Sequence, residues 1–103
     1  MSLNKIHIIG NVGRDPEEKA TSIGHTLVHF NVAVSSKKQG NPHTQWFYCK
    51  AFNNIAMYIS NHVQTGTKVF VEGSMESNDY QGKTYWNLMC HKVLVLDGKK
   101  ETP

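Results

Sequence analysis

A chain of 103 residues supports one domain with a modest core and excludes a two-domain architecture. No apolar run approaches the roughly 20 residues needed to cross a bilayer, and the opening Met1-Ser2-Leu3-Asn4-Lys5 lacks the parts of an export signal. The net charge of +3 permits a polyanionic partner. Arg14 is the sole arginine, which argues against a reader of duplex sequence, since bidentate arginine to guanine is the commonest specific base contact there.

Two cysteines, Cys49 and Cys90, are too few for a secreted disulfide scaffold and too far apart in sequence for a CxxC site, so a reducing cytoplasm is expected. The six histidines are scattered without ligand spacing, and neither a metal nor any other cofactor is expected. In chain order, Lys5 to Gly10 reads as a first strand, with Ile6 and Ile8 on one face and Lys5, His7 and Ile9 on the other. Gly10-Asn11-Val12-Gly13-Arg14-Asp15-Pro16-Glu17 follows as a bulge or sharp coil, without the lysine and helix of a phosphate loop.

Glu17 to Ser22 is polar and short or irregular, and Ser22-Ile23-Gly24-His25 reads as a turn. Thr26 to Ser35 is the second strand, with Val28, Phe30, Val32 and Val34 on one face. Ser36 to Thr44 is a long polar hairpin loop carrying Lys37 and Lys38. Gln45 to Phe52 is the third strand. Its alternation sends Trp46, Tyr48, Lys50 and Phe52 one way, and Phe47, Cys49 and Ala51 toward a core.

Asn53 or Asn54 is expected to cap a helix running to about His62, with Ile55, Ile59 and Val63 as its apolar stripe, Ala56 beside them and Gly66 ending it. Lys68 to Met75 is the fourth strand, Asp79 to Lys83 a hairpin tip bearing Tyr80, Tyr85 to Leu96 the fifth strand, and residues 98–103 a frayed end after one domain over 1–97. Five strands, one helix between the third and fourth, and two projecting hairpins describe an all-β OB-fold, a Greek-key barrel used for oligonucleotides and oligosaccharides. Large rings spaced along a strand around an ammonium group are what a single-stranded nucleic acid requires: bases stack on the rings and the cation offsets phosphate.

From Leu3 to about Leu96 the chain resembles the DNA-binding domain of bacterial single-stranded-DNA-binding proteins. The likeness rests on Leu3-Asn4-Lys5-Ile6, Gly10-Asn11-Val12-Gly13-Arg14-Asp15-Pro16-Glu17, Gly24 followed by Phe30, Trp46 with Phe52 six residues on, Ala56, and Gly66 with Val69-Phe70-Val71-Glu72-Gly73. It implies a sequence-nonspecific protein that coats single-stranded DNA in replication, recombination and repair. Trp46, Phe52 and Tyr80 would stack on bases, with Phe70 beside the same surface. Lys5, Lys37, Lys38 and Lys50 would neutralise phosphates.

The resemblance further implies a homotetramer joined through first strands, cytoplasmic and nucleoid-associated, with no membrane partner. Three departures stand out. The hairpin before Tyr80 carries Glu76 and Asp79 where the family is usually basic, the first hairpin lacks a frequent aromatic near Lys38, and the acidic tail that docks replication and repair enzymes is not found before Pro103. A dimeric primosomal replication protein of the same fold and a non-DNA OB interaction module are the alternatives. A hydrolase or nuclease is disfavoured because Asp15, Glu17, Glu18, Glu72, Glu76 and Asp79 are spread over turns and separate strands, so the chain is read as non-enzymatic.

Overall fold

The computed structural model describes residues 1–20 and 24–96. The expected turn at 22–25 lies partly, and the expected frayed end wholly, outside them. The described strands are β1 (Ile6–Val12), β2 (Glu17–Ala20), β3 (Thr26–Lys38), β4 (Asn41–Phe52), β5 (Lys68–Tyr80) and β6 (Lys83–Val95), with helix α1 (Asn53–His62) between β4 and β5. They form one sheet in the order β1-β5-β6-β4-β3-β2, and a further β1–β3 pairing closes it. The closed part is the expected five-stranded barrel. The short β2, exposed throughout, is an addition that pairs along β3 from Glu17 opposite His29 to Ala20 opposite Thr26.

Closure uses few ladder positions. Asn11 and Val12 pair with Ala33 and Val32, and β4 meets β6 in parallel only at Cys49 with Leu88 and Lys50 with Met89. At the first seam β1 presses on β3 so closely that a side chain on Gly10 would run into the Ala33 carbonyl. Inside sit Ile8, Val12, Val28, Phe30, Val32, Cys49, Ala51, Val69, Val71, Leu88, Cys90 and Val93, contributed by alternate positions of the barrel strands, except that a bulge in β6 opposite Glu72 and Gly73 sets Val93 three residues after Cys90. Each large aliphatic member contributes about 1.5–3 kcal/mol by leaving water, which is why period-two alternation decides which way every strand faces.

Helix α1 plugs one end of the barrel through Ala56 and Ile59, with Val63 just beyond its end, all buried, while Ile55 is only half-buried at the edge of the stripe. No asparagine side chain caps it. Phe52 is the N-cap residue, in extended conformation and without a side-chain bond. Asn53 instead adopts φ +54° and its Oδ1 lies 3.1 Å from Nδ1 of His25. The short polar side chain of asparagine tolerates that left-handed geometry and is engaged elsewhere. At the other end the chain leaves the helix through extended Val63, and Gly66, at φ +89°, makes the turn back to the barrel.

The two hairpins differ from expectation in the same way. Neither ends in a long loop: β3 and β4 are joined by Gln39-Gly40, and β5 and β6 by Gln81-Gly82. All four residues have positive φ, between +51° and +83°, the two-residue turn whose twist matches that of its strands. Apart from that turn, the polar stretch 36–44 is therefore ladder, with Lys37 opposite Pro42 and Lys38 opposite Asn41. Pro42 is tolerated because β4 meets β6 only much later, so its missing N–H falls on an open edge.

Candidate nucleic-acid interface

The expected alternation of β4 is observed. Cys49 and Ala51 are buried and Phe47 is half-buried, whereas Trp46, Tyr48 and Phe52 are 48%, 60% and 40% exposed, with Lys50 half-buried between the last two. Opposite this row, β3 sets Ala33 against Trp46, Asn31 against Tyr48, His29 against Lys50 and Leu27 against Phe52. On the other side β6 adds Met89 beside Lys50. The result is an outward track of rings with one ammonium inside it.

Trp46 is held rather than loose. Its neighbour Ala33 is small, so the indole can lie across β3 onto the coil after β1, where Gly13 supplies the missing side chain's space: a Cβ there would stand 2.5 Å from Cζ3 and 2.8 Å from Cη2. Gly13 is itself pinned, its N–H donating to the Asn31 carbonyl at 3.1 Å. The benzo end of the indole thus lies against the Gly13 main chain while nearly half of the residue stays open to solvent. Sequence reading treated Gly13 only as part of a bend, because nothing local reveals that the partner needing the space lies 33 positions away.

The same coil is tied down at its far end. Asp15 Oδ1 accepts from both the N–H and the hydroxyl of Thr65, each at 2.8 Å, and these bonds hold its carboxyl below the usual carboxylate range. Gly66 N–H donates to the Val12 carbonyl at 2.8 Å and Asn11 Nδ2 to the Gly66 carbonyl at 3.1 Å. Arg14 stands between these anchors, exposed, without an ion pair among the described residues. His29, half-buried beside Lys50, is driven below its ordinary value first by burial, then by Lys50 and Lys19, with Glu17 opposing. It is neutral near pH 7, and Lys50 is the cation at that point of the track.

The remaining expected residues divide. Lys37 and Lys38 are exposed at the end of β3, and alternation places Lys37 in line with Asn31 and Ala33. Tyr80 ends β5 and is 64% exposed; it shares a face of the β5–β6 ribbon with Asn78 and Tyr85, the partner pair next along that face. Trp86, which sequence reading passed over, is exposed on the opposite face of that ribbon across from Ser77. Asp79 is engaged by the Thr84 hydroxyl at 2.7 Å.

Lys5 and Phe70 lie apart from the track. Lys5 Nζ sits 3.0 Å from Glu72 Oε2, and His7 Nε2 3.6 Å from Oε1 of the same carboxylate. Glu72 is lowered chiefly by its bond with Lys5, burial working against that. Phe70 pairs across the ladder with Ile9 and Leu94 and stacks on His7 with ring centroids 5.8 Å apart. These residues make up the outer face of β1, β5 and β6, where Ile9 and Leu94 are also exposed.

Beneath the track, Cys49 and Cys90 are free and buried. The neighbouring Cys90 thiol and then burial push Cys49 far up, so it is an inert thiol at neutral pH. Among the described residues no group of three His, Cys, Asp or Glu is arranged to hold a metal, and no helix is long and apolar enough to cross a membrane.

A closed five-stranded barrel with a helical plug and an outward aromatic strand defines an oligonucleotide- or oligosaccharide-binding module. The chain belongs to the single-strand binding protein family, whose model matches residues 3–95. A single-stranded DNA-binding protein of Neisseria meningitidis is 31% identical over 98% of this chain and 64% of its own length. One from Synechocystis is 33% identical over 81% of this chain and 69% of its own. The chain thus spans a little under two thirds of the first of these relatives. Among solved structures, the Plasmodium falciparum SSB complex with ssDNA superposes with a TM-score of 0.86 at 26% identity, covering 94% of this chain and 97% of that one.

Proposed function

We propose that this protein binds single-stranded DNA with little sequence preference and coats it during replication, recombination and repair, without enzymatic turnover. Trp46, Phe52 and Tyr80 act as stacking platforms, and Lys37, Lys38 and Lys50 offset the phosphates. The observation that carries the reading is the row of half-open rings on β4 with Lys50 among them, one ring with its benzo end against main chain. A surface of that kind suits any base, because every base offers a π-face. The relatives' names and the single-stranded DNA in the Plasmodium complex support the same ligand.

Phe70 and Lys5 are given a different role. The patch of Ile9, Phe70 and Leu94 beside the Ile6–Gly10 half of β1, whose second edge has no partner strand among the described residues, supports self-association there, toward the tetramer expected of the family. Sedimentation distinguishes a tetramer from a dimer.

The binding reading is tested by titrating the protein with a thymidine oligomer while following tryptophan emission. Quenching that weakens with salt is expected. Replacing both Trp46 and Phe52 by alanine removes two platforms at about 1–3 kcal/mol each, and undiminished binding by that double variant would count decisively against the track.

A further inference from the structure

We propose that the track contains one base-reading position, a pocket around Tyr48 that selects guanine over the other bases; this rests on the single-stranded DNA reading above. Two adjoining clefts, of about 220 and 130 Å³, open on the outer face. Arg14, Asn31 and Tyr48 line both. Trp46 and Gly13 complete the first; Asp15, Glu17, His29 and Asn87 stand in the second, Asp15 with its Oδ1 already accepting from Thr65. A ring stacked on Tyr48 therefore has polar side chains at its edges, in contrast to Phe52, whose cross-strand neighbour is Leu27.

The chemistry of those edges is specific. Arg14 offers only donors and Glu17 only acceptors. Neither makes an ion pair among the described residues, and the half-buried amides of Asn31 and Asn87 have no hydrogen-bond partner there. A carboxylate beside a phosphate path opposes binding unless it meets donors. Glu17 is held at that place by its pairing with His29 in β2–β3, in the row that continues to Lys50.

Guanine alone among the four bases carries two adjacent acceptors on one edge, O6 and N7, and two adjacent donors on the next, N1–H and the N2 amino group. Arg14 matches the first pair, the bidentate contact familiar from duplex grooves, and Glu17 matches the second. Thymine lacks the donor pair, and adenine and cytosine present an amino group where guanine presents O6. Stacking supplies tolerance along the rest of the track while this position favours one base.

The test compares four oligomers of equal length by equilibrium fluorescence titration: all thymidine, and the same strand with one central dG, one 7-deaza-dG or one deoxyinosine. A single purine cannot form guanine-rich structures, and 7-deazaguanine retains the stacking surface but loses N7. Expected is an affinity about tenfold higher for the dG strand than for thymidine alone, in the range of one good bidentate contact. Both analogues should lose most of that gain. Arg14→Met, which keeps an unbranched stem but has no donor, should bring the ratio of dG to 7-deaza-dG affinities to about one, and Glu17→Gln the ratio of dG to inosine, whatever happens to absolute affinity.

Equal affinities for the four strands, with thymidine still bound, overturn the guanine pocket and leave the general binding surface standing. A gain that 7-deaza-dG retains in full overturns it as well, because stacking would then be its source. Failure to bind any of the strands overturns the single-stranded DNA reading itself.

Discussion

Replacing Gly13 by alanine tests whether the indole of Trp46 is a pre-set platform or a free surface ring. The added Cβ would lie 2.5 Å from Cζ3 and 2.8 Å from Cη2. Carbon atoms rest at about 3.5–4.0 Å, so the ring has to retreat by about 1 Å or swing off the coil. The main chain cannot yield easily, since Gly13 N–H is bonded to the Asn31 carbonyl and Asp15 is bonded to Thr65 two residues on. The cost falls on the indole, whose stack on a base is worth about 1–3 kcal/mol. Losing most of it weakens binding by about 1–2 kcal/mol, about five- to thirtyfold in Kd.

The assay is titration with a thymidine oligomer in a Trp86→Phe background, where Trp46 is the sole indole, with a thermal melt to establish that the barrel is intact. A Gly13→Ala protein that melts like its parent, binds within twofold of it and shows the same emission maximum and quenching would refute the claim that the coil positions the ring.

Three further outcomes are expected. The carboxyl of Asp15 is lowered by its bonds to Thr65, so it contributes stability present above its unfolded value of 3.8 and lost as pH falls through its folded value. Asp15→Asn should flatten the acid limb of the stability profile, and an unchanged limb in urea melts would contradict that. His29 is lowered by burial, Lys50 and Lys19, so the unfolded chain binds more protons between its folded value and 6.5 and stability at this residue declines as pH drops through 6.5. An NMR titration should place its midpoint below 6.5 in the free protein and move it upward when a polyanionic strand lies alongside; a midpoint at 6.5 or above in the free protein would be wrong for this environment. Leu88→Ala, at a fully buried seam residue between β4 and β6, should cost about 2–5 kcal/mol in chemical denaturation; a loss under about 1 kcal/mol would mean the seam repacks.

Which side chains face outward on β4 was legible in advance because alternation is a property of the backbone, and Cys49 and Ala51 are too small and apolar to be mistaken for the wet side. The hairpin lengths were not. Polar residues such as Ser36, Lys37 and Thr44 look like loop, yet a ribbon standing beyond the core has water on both faces and needs no apolar residues. The turn signal was Gln-Gly, less familiar than Asn-Gly, and only the positive φ at both positions reveals it. The helix cap failed for a related reason: an asparagine at the right place is equally suited to a left-handed φ, and at Asn53 that use prevailed.

Contacts between distant segments formed the other blind spot. The Gly13–Trp46 fit, the Asp15–Thr65 bonds and the meeting of Cys49 with Cys90 join positions about 33 to 50 apart in the chain, and periodicity carries no information about them. Lys5 was legible as a cation but not as a partner of Glu72, which depends on β1 lying against β5. Chemistry was readable from residue type; its placement required the barrel.

Because the two ribbons run past the last buried layer, and the side-chain bonds at the second tip (Gln81 Nε2 to the Tyr80 hydroxyl, Thr84 hydroxyl to Asp79) stay within that hairpin, the tips are set apart from the buried core. Lys37, Lys38, Glu76 and Lys83 are exposed there, with none in the buried set. If the proposed binding surface holds, grip and stability are housed in different lengths of the same strands, and the attraction of the arms for a charged polymer could be tuned upward or downward, residue by residue, without touching the buried layer of the barrel.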